Sequence, residues 1–125
     1  MMKHILIILT LMLYGTMLNA QTVDNLTSAV KMGNAGQLSQ LFNSSVEIII
    51  NNDDKMYTKA QAQMVMSDFF KKNPPTDFNI AHDSTREDAR FLIGNLTTKS
   101  NKTYRIIFLL RDKGSTTLIH QIRIQ

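Results

Sequence analysis

The chain has 125 residues, 43% of them apolar and 19% charged, and no cysteine. That length holds one domain, since domains run to about 100–150 residues, and the composition is that of a chain that folds. The formal charge of +4 is mild and its basic residues are scattered, which argues against a nucleic-acid surface; zero cysteine excludes disulfides, thiol catalysis and Cys-ligated metal.

Lys3 and His4 precede an apolar run over 5–13, broken only by Thr10, and Ala20 stands before the polar Gln21. This is the layout of a signal peptide over 1–20, cleaved after Ala20. The run is too short to cross a bilayer, which takes about 20 residues, so no membrane anchor is expected after processing. The expected product is a single exported domain over 21–125, periplasmic or extracellular in a Gram-negative bacterium.

Val23, Leu26 and Val30 fall at helical spacing, and Gly33 can end that helix in the left-handed conformation. Asn34 can cap a second short helix through Phe42, with Leu38, Leu41 and Phe42 as its buried stripe. The β-branched run Val46–Ile50 predicts a strand, Asn51–Asp54 a turn, and Lys55–Tyr57 a short return strand. That turn lacks the glycine and the alternating oxygen ligands of a calcium loop.

Thr58 and Gln61 form a capping box, and Ala62, Val65, Met66, Phe69 and Phe70 follow at helical spacing up to Lys71-Lys72 and Pro74-Pro75. A third helix is therefore predicted over 59–72. Its Met/Phe stripe is read as core. Beyond Pro75 everything reads as strand: Phe78, Ile80 and His82 on one face of the first, then 90–98, 103–111 and 116–124, with turns at 83–88, 99–102 and 112–115. Such short loops favour antiparallel neighbours. The fold class is α+β, three N-terminal helices packed on one face of a curved antiparallel sheet.

Several segments in this order resemble the DUF4783 family of small exported proteins, found mainly in Bacteroidota and belonging to the NTF2-like (cystatin-like, cone-shaped) superfamily. They are Gly33-Asn34-Ala35, the stretch Tyr57 to Ala62, Asp68-Phe69-Phe70, His82, Ile93-Gly94 and Tyr104-Arg105. The chain departs from the pattern at Ser84, where the family often carries glycine. The resemblance implies a fold and a compartment; it brings no catalytic residue.

An isomerase, dehydratase or hydrolase would need an acid and a base in an apolar pocket. The candidates are His82, Tyr57 and Tyr104, with His120 and Asp68 behind them. No carboxylate falls within the apolar stripe of a strand. Two histidines on separate strands make no metal site, and no cofactor motif is present. The leading expectation is a non-catalytic exported module that binds a small apolar ligand or a protein partner. Its pocket would lie in the hollow lined by Phe70, Phe78, Ile80, His82, Phe91 and Phe108. The alternatives are an enzyme using His82, and a structural protein that forms a homodimer through the sheet near Ile107 and Leu109.

Overall fold

Helix α1 occupies 21–31 of the computed structural model, which describes residues 21–125; the leader expected over 1–20 lies outside the described residues. The helix buries Leu26, Ala29 and Val30. It ends at Gly33, whose φ of 64° lets its N–H reach the Val30 carbonyl at 3.0 Å and the Asn34 N–H reach that of Ala29 at 2.8 Å. These two bonds satisfy carbonyls that a helix end leaves unpaired. Asn34 then caps α2 (Ala35–Ser39), its side chain accepting from the Gln37 N–H.

Helix α2 stops short of the predicted Phe42, which instead opens strand β1 (Phe42–Ile50). The cause is a distant partner: the Leu41 carbonyl accepts from the Ile119 N–H at 2.7 Å, and Phe42 pairs with Ile119. Strand β1 turns through Asn51 and Asn52, at φ 52° and 65°, into β2 (Asp53–Thr58). Two successive left-handed residues make the tight hairpin that suits strand twist, and asparagine tolerates that conformation. The capping box of α3 (Lys59–Lys72) forms as expected, and Ala62, Met66, Phe69 and Phe70 are buried.

Four strands complete the chain: β3 (Pro75–Arg86), β4 (Ala89–Thr98), β5 (Thr103–Lys113) and β6 (Thr116–Ile124). With β1 and β2 they form one six-stranded sheet in the order β2-β1-β6-β5-β4-β3. All neighbours are antiparallel except β1 and β6, which run parallel. Short loops dictate antiparallel pairing only between strands they join, and no short loop joins these two. The turn predicted over 83–88 shrinks to Glu87-Asp88, because β3 pairs with β4 as far as Arg86 opposite Ala89. Arg90 holds Asp83 there with two bonds of 2.9 and 2.7 Å, and those bonds keep the Asp83 carboxyl below the usual carboxylate range.

Two bulges re-aim side chains. Pairing moves from Ile80 opposite Gly94 to His82 opposite Ile93, leaving Ala81 as an extra residue. On β6 it moves from Gln121 opposite Leu109 to Ile119 opposite Leu110, leaving His120 extra. Each extra residue breaks the two-residue alternation, so neither histidine keeps the face its neighbours suggest. His82 leaves the Phe78/Ile80 face, and Ile119 takes the buried position expected for Leu118 and His120.

The helices cover the inner face of the sheet. Leu92, Leu96, Ile106, Phe108, Leu110 and Ile122 project into the core from the central strands and are fully buried. Gly94 lies among them beneath the Phe78 ring: a Cβ built on it would stand 2.3 Å from Phe78 Cζ. Only a residue without a side chain fits. Gly94→Ala is expected to lower stability by about 1–3 kcal/mol through overpacking. A urea unfolding curve with an unchanged midpoint would contradict that account.

Candidate functional site

Aromatic rings fill the interior hollow. Phe78 and Phe108 meet edge to face with centroids 6.4 Å apart, and Phe69 makes similar contacts with Phe70 at 5.9 Å and Tyr104 at 5.3 Å. Phe70, Phe78 and Phe108 are at most 4% exposed. Their neighbour Ile80 is half-buried. Phe91 pairs with Leu109 and Ser84 on the opposite face, and His82 lies there too, exposed and beside Ile93. The six residues expected to line one pocket thus divide between the two sides of the sheet. The break at Ala81 and the parity of β4 are the reasons.

The catalytic candidates are dispersed as well. Tyr57 is on β2 and His82 on β3, the two edges of the sheet. Five inter-strand spacings separate them, on the order of 24 Å. Tyr104 is half-buried on the inner face, and its hydroxyl donates to Asn73 Oδ1 at 2.9 Å. Asp68 pairs with Lys72 at 3.0 Å on the exposed side of α3. Tyr104, Asn73 and Asp68 do share one depression of about 290 Å³ with Ile50 and Phe69, but no histidine joins them. Among the described residues no three His, Asp or Glu side chains gather in a way that could hold a metal ion. No described helix is long and apolar enough to cross a membrane.

His120, displaced by its bulge, has a buried Nε2 with no hydrogen-bond partner. Desolvation holds its pKa below the ordinary histidine value; Arg111 and Lys113 add to the effect and Asp88 opposes it. The imidazole therefore favours its neutral form in the fold.

The outer face of the sheet carries a patterned surface. Met56, Glu47, Gln121, Leu109, Phe91 and Ser84 lie in one row across the strands; Asp54, Ile49, Arg123, Ile107, Ile93 and His82 lie in the next. The centre is an apolar block of Leu109, Phe91, Ile107 and Ile93, all half-buried. Around it Arg86, Gln121 and Arg123 rim a shallow concavity of about 450 Å³. Toward β2 the face turns acidic: the Gln121 amide donates to the Glu47 carboxylate, and Asp54 lies close to Glu47. Desolvation and then the neighbouring Glu47 push the Asp54 carboxyl up, while Arg123 pulls it down. Toward β3 it turns basic, with Arg86 and His82.

A second surface feature lies at the other side of β2. Between β2 and α3 runs a groove of about 560 Å³ lined by Lys55, Met56, Tyr57, Gln61, Met64 and Val65. Met56 and Met64 are 65% and 72% exposed. Neither methionine is among the residues expected from the sequence to form a site. The signal for Met64 was present: it lies off the apolar stripe of α3, where a buried side chain is not expected.

The family profile described as "Domain of unknown function (DUF4783)" matches residues 23–125. The crystal structure of a DUF4783 family protein from Bacteroides fragilis is 32% identical, with a TM-score of 0.76 over 80% of this chain and 93% of that one. A DUF4783 family protein from Bacteroides uniformis is 31% identical, with a TM-score of 0.77 over 82% and 94%. An NTF-2 like protein of unknown function from Silicibacter pomeroyi shares the fold at 12% identity and a TM-score of 0.62, over 85% and 90%. No curated protein matches.

The state of His120 has a measurable consequence. A histidine whose folded pKa lies below its unfolded value contributes stability that is complete above the unfolded value of about 6.5 and is lost as pH falls through the folded pKa. The wild-type urea midpoint is expected to fall between about pH 7.5 and pH 5.5 more steeply than that of His120→Gln. Parallel slopes for the two proteins would remove His120 as the cause.

Proposed function

The chain belongs to the DUF4783 family, and from that premise we propose that this NTF2-like domain is an exported, non-catalytic protein-binding module that docks through the outer face of its sheet, with a second copy of itself as the occupant. The observation that carries the reading is the apolar block of Phe91, Ile93, Ile107 and Leu109 at the middle of a face that no helix covers among the described residues. Apolar area removed from water contributes about 25 cal/mol per Å², so this block is where association gains most. The small-ligand reading is weaker because Phe70, Phe78 and Phe108 already fill the interior. The enzymatic reading is weaker because Tyr57 and His82 occupy opposite edges of the sheet.

The charges favour a like partner. Glu47 and Asp54 lie toward the β2 edge of the face, and His82 and Arg86 lie toward the β3 edge. A two-fold axis parallel to the strands reverses the strand order of the facing copy. Acidic side chains of one copy then meet basic ones of the other, twice, around the apolar centre. Isologous interfaces require this kind of self-complementarity, and the charged rim fixes the register more than it adds affinity.

Sedimentation equilibrium should detect a dimer at micromolar to millimolar concentration, weakened by salt. Ile107→Arg should shift the chain to monomer, with far-ultraviolet circular dichroism unchanged. Glu47→Lys alone should weaken the dimer, and Arg86→Glu added to it should restore association. Wild-type protein that stays monomeric throughout that range would defeat the proposal.

A further inference from the structure

We propose that the groove between β2 and α3 captures an extended, acidic and apolar peptide segment of a partner protein, which adds as a strand to the free edge of β2. The inference is independent of the outer face and rests on three features that coincide at one place.

The first is the backbone. β2 pairs with β1 on one side and, among the described residues, has no strand on the other. The Thr58 N–H donates to Gln61 Oε1 at 3.1 Å, away from the ladder with β1. Backbone groups alternate in direction along an antiparallel strand. Met56 and Asp54, two and four residues before Thr58, therefore turn their N–H and C=O groups toward the open side. The opposite edge of the sheet is less receptive: β3 begins with Pro75 and is broken by register shifts near both Thr76 and Ala81, devices that discourage strand addition. Pairing along β2 is regular from Thr58 to Asp53, with neither proline nor bulge.

The second is the groove. A strand laid beside β2 has alternate side chains directed toward α3, where Tyr57, Met64 and Val65 line an apolar cleft that Met56 borders from the outer side. Met32, Met56 and Met64 are the large apolar side chains most exposed among the described residues, and two of the three are here. Methionine is unbranched and polarizable, so a surface built from it accommodates differing apolar side chains.

The third is charge. Lys55 is the charged residue lining the groove, and Lys59 opens α3, whose first turn contains no acidic side chain. The helix N-terminus adds partial positive charge at the same end. Asp53 lies 3.7 Å from Lys55, but both side chains are more than half exposed, and such a pair yields readily to a competitor. A segment whose α3-facing positions carry apolar residues and a carboxylate, with uncharged residues between them on the side of Asp54, matches both the cleft and the cationic end. Main-chain bonding would supply affinity, and the methionine cleft with the lysines would supply selectivity.

The test uses the full isotope-labelled chain and two capped hexapeptides, an acidic one of sequence Leu-Thr-Leu-Thr-Glu-Thr and a basic one with Lys in place of Glu. With the acidic peptide, saturable shifts are expected in the amides of 54–58 and in the Met56 and Met64 methyl signals. Hydrogen exchange at the Met56 and Asp54 amides should slow by roughly tenfold or more, since those N–H groups gain partners. The basic peptide should bind at least about tenfold more weakly, and Lys55→Glu should narrow that gap. Met64→Glu should abolish binding of the acidic peptide while leaving the fold intact, because Met64 is exposed. Met56→Pro, which deletes one outward N–H, should remove the exchange protection; if it does not fold, Met64→Glu still decides. Ile107→Arg should leave peptide binding unchanged. No saturable shift at β2, shifts without amide protection, equal binding of the two peptides, or shifts confined to the outer face would each overturn the inference.

Discussion

The ring of Phe78 stands where a side chain at Gly94 would have to be, and the rest of the interior is arranged around that contact. Phe108 closes on Phe78 from the next strand but one, and Phe70 reaches the same core from α3. Protein interiors pack at the density of organic crystals, so three rings and the aliphatic residues between them leave little room for a guest. The interior of this cone-shaped fold is a packed core. Among the described residues, the surfaces left without a covering layer are the outer sheet face and the edge of β2 beside α3.

Much of this architecture was legible because its signals are local. The capping box at Thr58, the stripe of α3, the Gly33 corner and the asparagine hairpin each follow from neighbours a few residues apart. The loops between β3, β4, β5 and β6 set their antiparallel order for the same reason. What escaped depends on residues far apart in the chain. Phe42 reads equally well as the end of a helix stripe and as the start of a strand; its pairing with Ile119 decides the matter. The parallel placement of β1 beside β6 has no local signature at all.

The bulges at Ala81 and His120 had the largest effect on the site reading. Each adds one residue to one strand, and alternation beyond it is reversed relative to the partner. Phe78, Ile80 and His82 look like one face in the sequence, yet the histidine emerges on the other side. Leu118 and His120 yield the core to Ile119 in the same way. A polar residue at an apparently buried position was thus a sign of broken register, and not of a pocket. The cost is visible at His120, whose Nε2 is left without a partner.

The placement of β6 bears on the order in which the molecule can assemble. It is the last strand in sequence and sits between β1 and β5. During synthesis the ribosome releases β2-β1 and β3-β4-β5 as two separate part-sheets with no hydrogen bond between them. Neither can bury its apolar face fully until residues 116–124 arrive and bridge the gap. Such non-local closure slows folding, because loop entropy must be lost before the contacts form. The sheet therefore closes only once β6 is available, and until then the apolar faces of both part-sheets stay open to water.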